Sequence, residues 1–409
     1  MMSLFQSFKR SPVVHFWMLI VFLISGLIIN CVQIIILFIW PFNKSLYRRL
    51  VSKISYLYLA ELTFAGEWWA DIDITFYGKK EDYEQIGNES AMLMPNHRSD
   101  IDWLVGYIIA ERKGILGTAK CFMKNDLKYI PTIGWTWWFL EFSFLRRNWQ
   151  KDENTIKNSL KALNEYPIPY LIGIFAEGTR MTPAKLKASQ EFAVSKGIQP
   201  LKHHLLPRPK GFAFTVHALK NSVPAIYDIE VAFANPEKAN LKTLINGGKI
   251  KTHLYLRRIE MKDVPTESIE ATSQWCKDLY KEKDAIFDDY TKNGAFSADV
   301  VNFPKRYSNL IIVLAWQIFL FIPMMFFVKY IISSFSYAMF GGIALSLLLG
   351  FIVVKLLFYY ADTKRSSSFG LSASKGRQQN MNKKQEDSTQ LNEDSQEQNG
   401  VNAELKKNE

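Results

Sequence analysis

Residues 91–103 read AMLMPNHRSDIDW and place a histidine between a strand pattern and a helix pattern. The first four residues are apolar and suit a buried strand, and a helical run begins at Ile101 and continues to Glu111. His97 therefore lies at a strand-to-helix junction, where open α/β sheets bind their ligands. Asp102 follows five positions later, so its carboxylate can fold back, fix the tautomer of the imidazole and stabilise the imidazolium that forms on proton uptake. On its own, this spacing also describes a helix-capping or surface pair.

The region from residue 70 to 295 has the pattern of an α/β domain. Strand patterns cover residues 72–76, 91–94, 170–175 and 223–233. Helical patterns follow at 101–111, behind Asp152 through Leu163, from Thr182 and Pro183 onward, and from Thr266 through Tyr290. Strands that alternate with helices predict a mostly parallel sheet flanked by helices. We assign residues 41–300 to this domain.

Three apolar segments predict a membrane protein. The chain has 409 residues, 48% of them hydrophobic, and a formal net charge of +11, which suits nucleic acid, anionic lipid surfaces or phosphorylated small molecules as partners. About 20 apolar residues suffice to cross a bilayer. We therefore interpret residues 15–40 as an N-terminal membrane anchor behind a cytosolic N-terminus (1–14), and 308–361 as a transmembrane helical hairpin built from 310–332 and 337–361. The membrane signal argues against nucleic acid as a partner.

Basic residues on both sides of the hairpin predict its orientation. Lys305 and Arg306 precede it, and Lys364 and Arg365 follow it, so the positive-inside rule places both ends in the cytosol. The α/β domain and the C-terminal tail then share the cytosolic side. The three cysteines are isolated in sequence, which fits a reducing compartment and predicts no metal site.

The C-terminal tail, residues 362–409, is rich in polar residues and is predicted to be disordered and cytosolic. Lys406 and Lys407 near its end resemble the dilysine retrieval signal of endoplasmic-reticulum membrane proteins. Two lysines in a charged tail also occur by chance, so both interpretations stay open.

A second group of polar residues follows the strand pattern at 170–175. The chain continues as Ala176-Glu177-Gly178-Thr179-Arg180. The glycine allows close backbone approach, and the guanidinium offers a planar fork suited to bidentate phosphate recognition. The alternative is a turn in which Glu177 and Arg180 simply form an ion pair.

Taken together, NHRSDID (96–102) and FAEGTR (175–180) resemble motifs one and three of the glycerolipid acyltransferase family. Further similar segments are KNDLKYIP (124–131), FLRR (144–147), LLPRPKGF (205–212) and VPAIYD (223–228). The resemblance covers about residues 90–290 and is closest to the eukaryotic, plant-type 1-acylglycerol-3-phosphate acyltransferases of that family. Two positions depart from the pattern of motif two: Glu141 occupies the usual glycine, and Arg146 stands where an acidic residue is common.

The resemblance implies an acyl transfer from acyl-CoA to the free hydroxyl of a lysophospholipid, with lysophosphatidic acid as the acceptor. His97, supported by Asp102, is the implied general base, and no covalent acyl-enzyme is expected. The residues implied to bind the acceptor phosphate or CoA are Glu177, Gly178, Thr179, Arg180, Arg147, Lys124 and Lys210. Acyl-CoA serves as co-substrate, and neither a bound cofactor nor a metal is expected. The implied location is the endoplasmic-reticulum membrane, with several passes and an active site that faces the cytosol.

Other functions remain compatible with these residues. The acceptor could be another lysophospholipid, such as lysocardiolipin or lysophosphatidylinositol, because a basic cluster suits any phosphate-bearing molecule. A CoA-independent transacylase and a non-enzymatic lipid-binding membrane protein are further alternatives. The remaining histidines have no partner pattern in sequence and receive no role; they are His15, His203, His204, His217 and His253.

Overall fold

The computed structural model describes residues 4–146 and 149–333, together with helical residues 341–342, 345–346, 348–349 and 352. The strands are β1 (Ile72–Gly78), β2 (Ala91–Pro95), β3 (Ala119–Lys124), β4 (Ser143–Leu145), β5 (Leu171–Gly173), β6 (Ala225–Phe233), β7 (Ile250–Glu260) and β8 (Val300–Val301). The α-helices are α1 (Leu4–Lys9), α2 (Pro12–Leu37), α3 (Lys44–Phe64), α4 (Lys80–Gln85), α5 (Asp102–Arg112), α6 (Ile133–Phe139), α7 (Trp149–Asn164), α8 (Pro183–Ser195), α9 (Pro209–Leu219), α10 (Leu241–Ile245), α11 (Ile269–Asn293) and α12 (Ser308–Ser333).

The strands of the described residues form one sheet of eight in the order β4-β3-β5-β2-β6-β7-β1-β8. The five strands from β4 to β6 run parallel to their neighbours. At β6 the direction reverses, because β7 pairs with it antiparallel, and β1 then runs parallel to β7. The predicted α/β fold with a mostly parallel sheet is confirmed, and the parallel half brings the carboxyl ends of five strands to one edge.

Both faces of the sheet are covered. Along β2, Ala91 and Leu93 belong to one apolar core, together with side chains of α3 and α5, while Met92 and Met94 belong to a second core with side chains of α7, α9 and α11. All nine residues of β6 are buried. Strands buried on both faces lack the alternation of a one-sided strand, which is why β2 appears in the sequence as a continuous apolar run and β6 as a mostly apolar one, interrupted by Asp228 and Glu230.

Some predicted boundaries differ from the structure. The strand expected at 170–175 is only Leu171–Gly173, since the chain then turns away toward residue 177. The helix expected from Thr266 begins after Ser268, whose side chain accepts the Ala271 N–H at 3.0 Å as an N-cap. Thr182, by contrast, caps α8 as expected, with Pro183 in first position.

Two helices, Pro12–Leu37 and Ser308–Tyr330, are long and apolar enough to cross a membrane. Their surroundings differ. In the most apolar stretch of Pro12–Leu37, 39% is buried inside the protein, whereas in that of Ser308–Tyr330 only 6% is buried. The second hairpin segment, 337–361, lies outside the described residues apart from the isolated helical positions named above, and so does the tail, 362–409.

Candidate active site

The loop between β2 and α5 (residues 96–101) is fixed to the neighbouring strand by Asn96. Its side-chain amide donates to the Val231 carbonyl at 3.0 Å and its oxygen accepts the Val231 N–H at 2.8 Å. Asn96 thereby extends the β2–β6 pairing one residue beyond the strand. These two hydrogen bonds fix the backbone directly before His97.

His97 and Asp102 form the pair expected from their spacing. His97 Nδ1 lies 2.9 Å from Asp102 Oδ2, and the same oxygen accepts the backbone N–H groups of Arg98 (2.6 Å) and Ser99 (2.7 Å). Asp102 is buried, whereas a quarter of the His97 side chain is exposed. With Nδ1–H donating to the carboxylate, the lone pair of Nε2 faces outward and can accept a proton.

The loop between β5 and α8 (residues 174–182) clamps His97 from the other side. Glu177 Oε1 accepts the His97 N–H at 2.9 Å, and the Met181 N–H donates to the His97 carbonyl at 2.7 Å. Gly178 adopts φ +70, and a β-carbon there would lie 3.1 Å from the Arg208 side chain. This left-handed turn therefore favours glycine, and it aims Glu177 at the β2–α5 loop.

Arg180 lies beside the pair. Its Nη1 is 3.8 Å from Asp100 Oδ2, in the β2–α5 loop. Burial raises the pKa of Asp100, and the Arg180 charge acts against that shift. The guanidinium thus lies next to the β2–α5 loop, at ion-pair distance from Asp100.

The other predicted phosphate-binding residues have different surroundings. The Thr179 hydroxyl accepts Lys185 Nζ at 2.8 Å, a contact that brings in a buried lysine which the sequence did not single out. Lys124 ends β3 and is exposed, with Nζ 2.5 Å from Asp126. Lys210 is exposed in the first turn of α9, and Arg147 lies outside the described residues.

A mostly buried charge cluster lies behind the two loops, and of its members the sequence analysis assigned a role only to Glu177. Its members are Arg98, Glu177, His204, Asp228, Glu230, Arg257, Lys283 and Asp284. Lys283 is fully buried and contacts Asp228 Oδ1 at 2.5 Å and Glu230 Oε1 at 2.9 Å. It also donates to the carbonyl of Met94, near the end of β2, at 3.2 Å and to that of Ile229, within β6, at 2.9 Å. The cluster therefore supports the strand ends from which the site is built.

An apolar cavity of about 60 Å³ adjoins the pair, between α5 and the sheet. Leu93, Val105, Tyr107, Ile229 and Leu254 are among the residues that line it. Asp102 and Phe175 also contribute to its wall, and the Phe175 ring lies 4.6 Å from the His97 ring. The site thus combines a polar, cationic edge with an apolar recess.

The structure explains the unusual glutamate in motif two. Glu141 has φ +58, a left-handed conformation that glycine adopts without strain. Its carboxylate receives two hydrogen bonds from Arg48, from Nε at 2.8 Å and from Nη2 at 3.1 Å. Arg48 is buried, so the bidentate ion pair offsets the backbone strain at this position. Glu141 therefore acts in the structure of the turn.

Comparisons with known proteins identify relatives of the chain. Residues 73–232 match the family model for acyltransferases, and residues 243–316 match that for the acyltransferase C-terminus. The solved structure of the 1-acyl-sn-glycerophosphate (LPA) acyltransferase PlsC from Thermotoga maritima is similar over 65% of this chain and 97% of its own, with a TM-score of 0.39 and 15% identity.

Full-length relatives are more similar. The 1-acyl-sn-glycerol-3-phosphate acyltransferases delta of Bos taurus and Homo sapiens are each 37% identical to the chain, over 91% of it and 99% of their own length. The human gamma form is 35% identical, over 90% of this chain and 98% of its own. The resemblance seen in the motifs is confirmed. The chain belongs to the 1-acyl-sn-glycerol-3-phosphate acyltransferase family.

Proposed function

We propose that the protein transfers an acyl chain from acyl-CoA to the free hydroxyl of lysophosphatidic acid and so forms phosphatidic acid. The observation that carries the proposal is the 2.9 Å contact between His97 Nδ1 and buried Asp102, beside an apolar cavity and the Arg180 cation. The names of the relatives support the choice of acceptor.

In the proposed reaction, Nε2 of His97 takes the proton of the acceptor hydroxyl as its oxygen attacks the thioester carbonyl carbon. Asp102 stabilises the resulting imidazolium. Collapse of the tetrahedral intermediate breaks the carbon–sulfur bond, and the departing CoA thiolate takes the proton from the imidazolium, which restores neutral His97. No protein nucleophile takes part, which agrees with the burial that raises the pKa of the Cys121 and Cys276 thiols to about 12.

The phosphate of the acceptor, or those of CoA, bind at the cationic edge in this proposal. Arg180 is the main contact, with Lys124, Lys210 and Arg147 as further cations and with Glu177, Gly178 and Thr179 shaping the loop. The apolar cavity suits part of the acyl chain. The two substrates then meet with the thioester next to His97.

We further propose that the protein is a multi-pass protein of the endoplasmic-reticulum membrane, with its active site facing the cytosol. The apolar helices α2 and α12 and the basic residues around the hairpin support this placement. Replacing Lys406 and Lys407 should let part of the protein escape toward the Golgi. If the variant stayed in the endoplasmic reticulum like wild type, these lysines would not be a retrieval signal.

The direct test is a substrate panel. Purified protein in nanodiscs is assayed with labelled oleoyl-CoA against lysophosphatidic acid, lysophosphatidylinositol, lysocardiolipin and other lysophospholipids, with His97→Ala as the inactive control. We expect the highest kcat/KM for lysophosphatidic acid and one free CoA per product. A preference for another acceptor would change the substrate assignment, and product without free CoA would indicate a transacylase.

A further inference from the structure

Four large apolar side chains lie exposed in the segment between β3 and β4. They are Tyr129, Ile130, Trp135 and Trp138, and between 40% and 68% of the surface of each is exposed. Tyr129 and Ile130 lie in the turn before α6, and the two tryptophans share one side of α6. Large apolar side chains that are exposed in a group mark a contact with a partner or a membrane. We call these four side chains the aromatic patch.

Helix α6, which carries the two tryptophans, is fixed to the helices on its other sides. Thr136 is hydrogen-bonded to Asn30 of α2 at 2.9 Å, and the Tyr47 hydroxyl of α3 donates to the Phe139 carbonyl at 2.6 Å. Trp137, between the two exposed rings, is buried in the core. The aromatic patch therefore projects from a helix that packs firmly against α2 and α3.

Helix α2, the neighbour of α6, has its polar residues on the inside. Ser25, Asn30 and Gln33 are buried, and they are hydrogen-bonded to side chains of α3 or α6. The exposed positions between residues 23 and 35 are all apolar: Leu23, Ile24, Leu27, Cys31, Ile34 and Ile35. A helix at a water-facing surface has the opposite distribution, with its polar side chains outward. The outer face of α2 therefore suits lipid and not water.

This apolar face connects the aromatic patch to the predicted transmembrane hairpin. In the first half of α2, the Trp17 indole donates to Gln317 Oε1 of α12 at 2.6 Å, and in its second half Asn30 contacts α6. At the patch itself, Lys128 Nζ lies 5.0 Å from the centre of the Tyr129 ring. Aromatic rings with lysines beside them are typical of the lipid–water interface. A bilayer is thus the partner that fits the patch.

The aromatic patch begins near the same edge of the sheet as the candidate active site. Strand β3 ends at Lys124, from which the chain continues directly into the turn that carries Tyr129. Strands β2 and β3 both run parallel to β5, so Lys124 and His97, which follows β2, leave the sheet at one edge. A bilayer that covers the patch therefore lies close to this edge.

We propose that the aromatic patch lies in the lipid–water interface of the leaflet nearest to the α/β domain, so that the domain itself contacts the bilayer in addition to its apolar helices. The contact turns the active-site edge toward the membrane, and the lysophospholipid acceptor reaches His97 without passing through water. This role in substrate access rests on the proposed function, whereas the lipid contact does not.

Photocrosslinking tests the lipid contact without turnover. The photoreactive residue p-benzoylphenylalanine replaces Tyr129 or Trp138 in the full chain, which is irradiated in nanodiscs of phosphatidylcholine and phosphatidylserine. Lys281 is the matched control position, because its side chain is also about half exposed (52%) but lies on α11, which packs on the opposite face of the sheet. Mass spectrometry should find phospholipid adducts at Tyr129 and Trp138 and none at Lys281.

The same experiment identifies any other occupant of the patch. A crosslinked dimer would mean that a second copy of the chain covers it, and an adduct to residues 337–361 of the same chain would mean that the hairpin does. Either result would overturn the proposal. Equal lipid labelling at Lys281, or no lipid adduct at Tyr129 and Trp138, would overturn it as well.

Kinetics with two acceptors test the role in substrate access. The double variant Trp135→Gln, Trp138→Gln should fold, because both rings lie at the surface, and should lose several-fold in kcat/KM for long-chain lysophosphatidic acid in nanodiscs. For a short-chain lysophosphatidic acid that dissolves in water, its kcat/KM should equal that of wild type, because the patch binds the bilayer and not the substrate. Val194→Gln, which removes an exposed apolar side chain of α8, should match wild type with both acceptors.

The two experiments separate the proposal from the proposed function. Equal losses with both acceptors, or no loss with either, would overturn the role of the patch in substrate access. A wild-type protein that forms the lipid adducts but transfers no acyl chain would instead refute the proposed function alone.

Discussion

At the residue scale, one oxygen atom organises the catalytic candidate. Asp102 Oδ2 accepts from His97 Nδ1 and from the backbone of Arg98 and Ser99, while Oδ1 is buried without a hydrogen-bond partner among the described residues. Asp102 therefore both holds the backbone of the β2–α5 loop and pairs with the imidazole. These two roles can be separated, because an asparagine oxygen can accept the same hydrogen bonds without the charge.

His97→Ala should abolish turnover and leave acyl-CoA binding largely intact, because the imidazole acts on a proton and not on the acyl chain. Asp102→Asn should keep the loop folded and lose at least about 10²-fold in kcat, since an amide stabilises the imidazolium poorly. Initial rates with both variants, together with binding of a non-hydrolysable acyl-CoA analogue, measure the two effects.

Wild type should also show sequential kinetics, with no burst of CoA when the acceptor is left out. A covalent acyl-enzyme would give ping-pong kinetics and such a burst. The control for Asp102→Asn is Asp102→Ala, which should lower the thermal midpoint as well, because it removes the acceptor of the Arg98 and Ser99 N–H groups, at a cost of about 2 kcal/mol. If a folded His97→Ala protein kept near-normal turnover, His97 would not be the general base.

Arg180→Lys tests the phosphate contact. Lysine keeps the positive charge near Asp100 but loses the planar fork, so KM for the phosphorylated substrate should rise several-fold while kcat changes less. Lys124→Gln is a useful comparison, because that exposed side chain already contacts Asp126 and should have a smaller effect. Wild-type kinetic parameters for both substrates in Arg180→Lys would show that Arg180 does not bind phosphate.

The sequence predicted His97 and Asp102 because both lie within one junction, five positions apart. It could not reveal His204, since the partners of this residue lie 26 and 80 positions away in sequence, on β6 and α11. The clamp of Glu177 on the His97 backbone was equally hidden, because its two ends are 80 residues apart. Sequence patterns predict contacts between residues that are close in sequence, because helix and strand periodicity brings such residues together. Contacts between distant segments depend on the fold and have no such signal in the sequence.

At the scale of elements, β1, β2, β5 and β6 were predicted, whereas β3, β4, β7 and β8 were missed. The longest of the missed strands is β7. Its residues IKTHLYLRRIE alternate only partly, and its basic side chains pair with acids on other elements, as Arg257 does with Asp228 at 2.9 Å and Arg258 with Glu89 at 2.8 Å. A strand with so many charges resembles a loop when its partners are unknown. The reversal of direction between β6 and β7 was therefore also unpredicted.

The turn before β4 offers a prediction at this scale. Glu141→Gly should relieve backbone strain of about 1 kcal/mol but leave buried Arg48 without its bidentate partner, a loss that exceeds the relief. We expect a net destabilisation of about 2 kcal/mol, measured as a lower thermal midpoint in detergent.

Asp71→Gly is the matched control, since Asp71 also has a left-handed backbone (φ 48) and an ion pair, with Lys249 at 3.1 Å, but both side chains are about half exposed. Its stability should stay within about 1 kcal/mol of wild type, because exposed pairs contribute little. Equal effects of the two substitutions would mean that the Arg48 pair does not offset the strain at Glu141.

At the scale of the whole molecule, the two apolar helices relate differently to the α/β domain. Near the start of α12, Lys305 Nζ donates to the Glu67 carbonyl at 2.8 Å and Arg306 to the Glu111 carbonyl at 3.0 Å. The Trp316 indole then donates to the Leu57 carbonyl at 3.1 Å, but only 6% of the most apolar part of the helix is buried. Helix α2 is more buried, with Ser25 donating to Glu61 of α3 at 2.5 Å and Asn30 hydrogen-bonded to Thr136 of α6 at 2.9 Å. The sequence predicted both helices from composition, but composition does not tell which one packs against the domain.

The contacts of α2 lead to a prediction about topology. Just before the helix, Lys9 Nζ donates to the Trp69 carbonyl, and the Trp69 indole donates to the Ile245 carbonyl at 2.8 Å, so the N-terminal end of α2 lies against the domain. Beyond the other end of the helix, the Tyr47 hydroxyl donates to the Phe139 carbonyl at 2.6 Å. Because both ends of the helix lie on the same domain, we expect it to lie beside the domain and not to carry the chain to the opposite side of a membrane.

Epitope tags at the N-terminus and the C-terminus should therefore both be removed when protease is added to sealed microsomes, while a lumenal marker protein stays intact until detergent opens the vesicles. The N-terminal tag reports on α2, because a helix that crossed the bilayer once would place residues 1–14 in the lumen and protect that tag. The C-terminal tag reports on the hairpin, because an even number of crossings after the domain returns the tail to the domain's side. Protection of only the N-terminal tag would make α2 a true membrane span despite its contacts, and protection of only the C-terminal tag would reduce the hairpin to a single crossing by α12.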